Sequence, residues 1–117
     1  MTLALDTDIL EGAYNYLRAT PPYKHWKLPE SDTIAFHVCA TKYMGYYTRD
    51  AVHHIALSAR RIGHTNTVMH IMGHEMIHLH QGVAKTETPN TEHNAEFDRL
   101  AKLACRIHGW DWKEFYR

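Results

Sequence analysis

Residues 74–78 read His-Glu-Met-Ile-His, two imidazoles four positions apart with a carboxylate beside the first. On a helix each residue turns by roughly 100°, so four positions bring the second ring back above the first. Taking His74 as zero, His78 lies at about 40°, His70 at about −40° and Gln81 at about −20°. Val68, Met69, Met72, Met76, Leu79 and Val83 fall at about 120° to 220°, an apolar stripe for a core. The expected helix is two-sided: one face offers imidazoles to a metal and the other anchors them. Glu75, at about 100°, stands beside the ligand face but outside it, where a general base can take a proton from water without binding the ion. Zinc suits this set. Imidazole nitrogens bind it at roughly 2.0–2.1 Å, three protein ligands leave a fourth place for water, and the pKa of that water falls to about 7. The plain alternative is a solvent-facing helix that happens to carry two histidines and a glutamate.

A third ligand decides between them. His93 follows His78 beyond Gly82, near the start of a further helix, so a turn of the chain can return it to the ion. Glu92 and Glu96 are competing donors, and a set of two histidines and one glutamate is equally acceptable to zinc.

The elements that must hold these groups follow from pattern. The metal helix is expected over about 65–81, capped by Thr65 or Asn66 and stopped by Gly82. A last helix is expected from Asn90 or Thr91, just after Pro89, with Phe97, Leu100, Ala101, Ala104 and Ile107 on one side before Gly109. The aromatic tail 110–117 should pack back onto the core. Upstream, Ile9, Leu10, Ala13, Tyr14 and Leu17 recur at helical spacing within 3–18, with Asp6 or Thr7 as N-cap. Thr20-Pro21-Pro22 ends that helix, and 23–32 reads as a connector. Segments 33–40, 43–48 and 53–58 are rich in strand formers and suggest a small antiparallel three-stranded sheet. Within 51–61 the alternation is too short to separate strand from helix. The class is therefore α+β.

Composition narrows the functions. The chain has 117 residues, 44% hydrophobic and 22% charged, with Lys+Arg 13 against Asp+Glu 13. It reads as one globular domain over 1–117, with no whole-molecule attraction to phosphate or anionic lipid. DNA contact would have to be local. Cys39 and Cys105 make at most one bridge and cannot build a four-cysteine zinc module, which fits a reducing compartment. Asp6, Asp8 and Glu11 precede any basic residue, the wrong order for a signal peptide, and no apolar run approaches the roughly 20 residues of a membrane span. A cytoplasmic protein is expected. Eleven histidines outnumber the cysteines, tryptophans and phenylalanines combined, which again directs attention to a metal.

With His93-Asn94-Ala95-Glu96-Phe97 beside His-Glu-Met-Ile-His, the chain resembles the SprT-like metallopeptidase domain, the family of the Spartan proteases that act on DNA–protein crosslinks. In that family the third zinc ligand is the histidine of an H-x-x-E-F segment. Ile55-Ala56-Leu57-Ser58 resembles the strand that leads to the family's metal helix. The resemblance implies a zincin-like minimal metallopeptidase with one catalytic zinc on His74, His78 and His93, Glu75 as acid/base, and a protein or peptide as substrate. Two departures stand out: the isolated cysteines exclude the zinc ribbon that many members carry, and Asn94-Ala95 replaces a frequent Gly-Pro. His-Glu-Met-Ile-His-Leu-His also resembles the helix motif of ImmA/IrrE-like regulatory proteases. From another class, zinc could merely join the last two helices of a binding module, which would need a fourth ligand such as His70 or Glu96.

Other residues read more plainly. His70 is expected as a polar surface histidine and His80 as packing or surface. Adjacent on a strand, His53 and His54 face opposite ways and form no joint site. No partner stands at ligand spacing for His25, His37, His64 or His108. Tyr46, Tyr47 and Tyr116 could stabilise an oxyanion but are expected to pack. Arg99, Lys102 and Arg106 read as a solvated helix stripe, and both cysteines as small buried residues.

Overall fold

The computed structural model describes residues 5–40, 44–59 and 65–116, without the side chains of residues 65, 66 and 116. Helix α1 (Thr7–Arg18) starts where Asp6 accepts a hydrogen bond from the Ile9 amide at 2.8 Å, and it buries Leu10, Ala13, Tyr14 and Leu17. The connector carries two short 3-10 turns, Tyr23–His25 and Ser31–Thr33. Strands β1 (Ile34–Cys39), β2 (Gly45–Arg49) and β3 (His53–Ser58) follow, then helices α2 (Thr65–Ala84), α3 (Ala95–His108) and α4 (Trp112–Tyr116). The α+β expectation holds. Among the described residues no helix is long and apolar enough to cross a membrane.

The sheet is mixed, and this corrects the antiparallel expectation. Its order is β1-β3-β2, with β3 parallel to β1 and antiparallel to β2. Burial gives the reason. Ile55, Ala56, Leu57 and Ser58 are all fully buried, so β3 takes the centre, as expected of a strand covered on both sides. A parallel pair needs an intervening connection of about a dozen residues, and the chain between β1 and β3 uses that length to lay β2 on the far edge. The 51–61 region is a strand up to Ser58; Tyr43, Arg60, Arg61 and His64 lie outside the described residues, as do the side chains of Thr65, Asn66 and Tyr116.

Helix α2 runs through the middle of the molecule. Val68, Met72, Met76 and Leu79 are buried as the stripe requires, but so are Ile71 and Ile77, and so are the polar His70, His74, Glu75 and Gln81. The two-sided helix is thus a wrapped one, enclosed by α1, the sheet, α3 and α4; Val83, expected in the core, is 44% exposed. Gly82 does not stop α2. A Cβ there would stand 2.8 Å from the Tyr47 hydroxyl and 2.5 Å from the Arg49 guanidinium, so glycine allows β2 to approach the helix. The stop comes at Lys85, whose φ of 59° is left-handed, the usual way to end a helix.

The last long helix begins later than expected. Asn94, not Asn90 or Thr91, caps α3, its Oδ1 accepting from the Phe97 amide at 2.9 Å. Phe97, Leu100, Ala101, Ala104 and Cys105 are buried, whereas Ile107 is 44% exposed. Cys39 is only half-buried, whereas Cys105 is buried as expected. The tail folds back as expected: Phe115 of α4 is fully buried.

Candidate metal centre

Helix α2 delivers His74 and His78 to one cleft, and the bend before α3 delivers His93. One ring nitrogen from each lies within 4.8 Å of the other two. Ring placement gives a finer test. Three imidazoles bound at roughly 2.0–2.1 Å to a tetrahedral centre have centroids about 5.2 Å apart; here the separations are 5.1 Å for His74–His78, 5.0 Å for His74–His93 and 5.2 Å for His78–His93. The three residues fit a single tetrahedral ion.

Tautomer supports the fit. His74 Nδ1 lies 2.7 Å from the Phe115 carbonyl. A carbonyl only accepts, so Nδ1 carries the proton and Nε2 keeps the lone pair a metal requires. Phe97 touches all three rings, stacked on His93 at 4.2 Å and His78 at 4.6 Å and edge-on to His74 at 5.0 Å. Burial also keeps the imidazoles neutral. It holds His74 down to about 4, partly offset by the Phe115 carbonyl, and His78 down to about 3, reinforced by His74. His93 is lowered by burial against the opposing pull of Glu92 and Asp98.

His93 is held by a polar knot. Asn94 Nδ2 donates to the Thr86 carbonyl at 2.9 Å and to Thr88 Oγ1 at 3.0 Å, while Asn94 Oδ1 accepts from Gln81 Nε2 at 3.0 Å as well as from Phe97. Gln81 is 2% exposed and belongs to the helix that carries the other two ligands. One amide pair therefore ties the α2 ligands to the His93 segment.

Glu75 lines the same cleft, 5% exposed, its carboxyl pushed up to about 8 by burial and then by Glu92. The cleft has a volume of about 840 Å³, lined by Gly45, Tyr46 and Tyr47 of the edge strand β2 and by Glu87, Thr88, Pro89, Thr91 and Glu92 ahead of His93. A Cβ on Gly45 would meet the Ala56 carbonyl at 2.8 Å and Glu75 Oε2 at 3.3 Å, so this glycine admits the strand to the carboxylate.

Of the competing donors, Glu96 instead forms an ion pair with Arg99 at 2.8 Å, and Glu92 stays on the cleft wall. His70 is buried, not superficial, its pKa lowered by burial, and it stays outside the triad. His80 packs, stacked on Trp26 at 4.5 Å. Tyr47 hydrogen-bonds His53 Nδ1 at 2.8 Å while Tyr46 is 40% exposed; both line the cleft. Arg99 is exposed and Lys102 sits 5.5 Å over the Trp112 ring. His108 meets the Pro21 carbonyl at 2.8 Å.

His37 departs from expectation: its Nε2 lies 3.0 Å from His54 Nδ1. Parallel pairing of β1 with β3 makes this contact, which linear spacing does not show. Sequence reasoning also missed Phe97, Asn94 and Gln81 as supports of the triad; an asparagine next to a ligand and ahead of an amphipathic run was the available signal for Asn94. No protein-family model matches the chain, and no curated protein matches it.

Proposed function

We propose that the protein is a zinc-dependent metallopeptidase of SprT-like, zincin type, acting on protein or peptide substrates. One observation carries this reading: three neutral imidazoles at the spacing of a tetrahedral ion share a cleft with a buried carboxylate that is not among the ligands. His74, His78 and His93 would hold the ion. When bound, a divalent ion supplies a Lewis acid for a peptide carbonyl and favours the ionised forms of Glu75 and of an attacking water.

The chain's own groups account for the rest. Glu75, low in the cleft, accepts the proton of the attacking water and returns it to the departing amine. The edge strand β2 leaves backbone groups along one wall, where an extended substrate can add as a further strand. Burial of Glu75 and His74 shields these two groups from bulk water, which strengthens their electrostatic contacts. Three described ligands rather than four favour this open arrangement over a closed structural site.

The test is Glu75→Gln, with bound zinc and cleavage of an unfolded polypeptide measured on the same sample. Retained zinc with cleavage reduced by about 10²–10⁴-fold is expected. Undiminished cleavage would remove Glu75 as the base, and a wild-type protein without stoichiometric metal would end the proposal.

A further inference from the structure

On the far side of the sheet from α2, two more imidazoles meet. His37 of β1 and His54 of β3 alternate with the core-facing Phe36 and Ile55, so both project from the outer face. Their ring nitrogens, His37 Nε2 and His54 Nδ1, are 3.0 Å apart, with the ring planes inclined by 22°. The other nitrogen of His54 lies 3.1 and 3.2 Å from the two carboxylate oxygens of Asp50. Asp50 is itself fixed, since its Oδ1 accepts from the Val52 amide at 2.9 Å in the β2–β3 turn.

We propose that His37 and His54, backed by Asp50, form a second, solvent-facing metal site that takes a tetragonal divalent ion of the copper(II) or nickel(II) class. The carboxylate determines the tautomer: it holds the proton on His54 Nε2 and leaves the Nδ1 lone pair turned to His37. A carboxylate behind a ligating imidazole is the common outer shell of biological metal sites. Without metal, a proton on His37 Nε2 occupies the gap. A metal ion displaces that proton to His37 Nδ1, and the exposed rings tilt to point at the ion. With ligand bonds of roughly 2.0–2.1 Å, nitrogens 3.0 Å apart subtend about 95° at the metal. This angle is close to the 90° of cis positions in square-planar or octahedral complexes and well short of the tetrahedral angle, so the pair favours copper(II) or nickel(II) over zinc. Water completes the coordination.

The site is independent of the triad, and the experiment keeps them apart. The zinc-loaded full-length protein is titrated with Cu²⁺, with stoichiometry read by calorimetry and nitrogen hyperfine structure by electron paramagnetic resonance. One further equivalent with a two-nitrogen signal is expected. His37→Ala and His54→Ala should each weaken it by at least about 30-fold, and Asp50→Asn by about 10-fold. Repeating the titration on the double variant His74→Ala/His78→Ala, which leaves the first site a single imidazole, should leave the two-nitrogen signal intact. A Cu²⁺ signal and affinity unchanged by both His37→Ala and His54→Ala would overturn the proposal, as would the absence of a further equivalent.

Discussion

Among the described residues the molecule places histidines together twice, once on each side of its sheet, and the two places are built differently. Beneath the sheet, His74, His78 and His93 are set by a buried helix, a capped bend, an aromatic ring against all three and a main-chain carbonyl. Above it, His37 rests on an exposed and His54 on a half-buried strand position, with one carboxylate behind them. The same side chain thus meets opposite environments. Where packing buries one ring and half-buries the other two, burial favours the neutral form of all three and holds them convergent. Where two rings are held only by each other and one aspartate, they can turn, and a ligand must supply part of the order. The first arrangement suits chemistry and the second suits exchangeable binding.

The largest effect should come from exchanging single residues between these regions. His78→Ala removes one of three ligands and is expected to abolish zinc retention and lower cleavage by more than about 10³-fold. His54→Ala is expected to leave cleavage unchanged. Zinc analysis and cleavage assays on both variants check this; equal loss in the two would mean that the outer pair supports the catalytic cleft and that the contrast is false.

Phe97 comes next. It is fully buried and in ring contact with each ligand, so Phe97→Ala should cost about 3–5 kcal/mol in urea unfolding of the metal-free protein. Phe97→Leu, which keeps most of the volume, should restore most of that stability while zinc binding remains weakened. Full recovery of zinc affinity in Phe97→Leu would reduce the ring's role to filling space.

Acid tests the neutral state of the buried rings. In the unfolded chain histidine titrates near 6.5, while burial holds His74 to about 4 and His78 to about 3. Between pH 5 and 6 the unfolded chain therefore binds two protons that the folded protein refuses, and stability falls as pH falls. Glu75 acts the other way: raised from 4.5 to about 8, it binds one proton in the fold that the unfolded chain lacks in that window. The lowered His70 and His93 add to the histidine side. The metal-free protein should lose stability on going from pH 6 to pH 5, with at least one net proton taken up on unfolding. Glu75→Gln should steepen that slope by about one proton. Urea melts at the two pH values check both, and a flat profile would mean that the rings are solvated.

The helical spacing of His74 and His78 is a property of local geometry, so the motif could be placed on one face without coordinates. His93 was reachable because its segment adjoins the metal helix. The sheet was not, because β3 pairs with β1 across an intervening strand, and no local pattern distinguishes a central strand from an edge when the segments are so short. His37 and His54 therefore looked partnerless. Gly82 misled for a related reason: its missing Cβ serves a tertiary approach by Tyr47 and Arg49, which outweighs its local tendency to end a helix. Asn94 displaced the cap from Asn90 because its amide joins four partners at once.

Asn94 marks the next step down in size. Asn94→Ala removes both the cap, about 1 kcal/mol of stability, and the tie to Gln81, and it should weaken zinc binding by about 10–100-fold. Asn94→Asp keeps an acceptor for the Phe97 amide but loses the donors to Thr86 and Thr88. It should retain most of the stability and still bind zinc less tightly than the parent. If the aspartate variant bound zinc as well as wild type, the cap and the tie to Gln81 would position His93 and the donors to Thr86 and Thr88 would be incidental.

The smallest expected effect belongs to the outer pair. His37 is exposed and His54 partly so, and neither belongs to the hydrophobic core. Without added metal, His37→Ala should shift folding stability by no more than about 0.5 kcal/mol, the usual range for a surface change. Thermal melts with and without Cu²⁺ read the difference. If the pair is a binding site, Cu²⁺ present at 100 times its dissociation constant should stabilise wild type by about 2.7 kcal/mol through linkage, and His37→Ala should lose most of that gain. A variant that melts early without copper, and to the same extent with it, would instead make the contact a structural tie between β1 and β3. In that case both histidine groups would serve the fold through packing, and the distinction between a fixed centre and an exchangeable one would disappear.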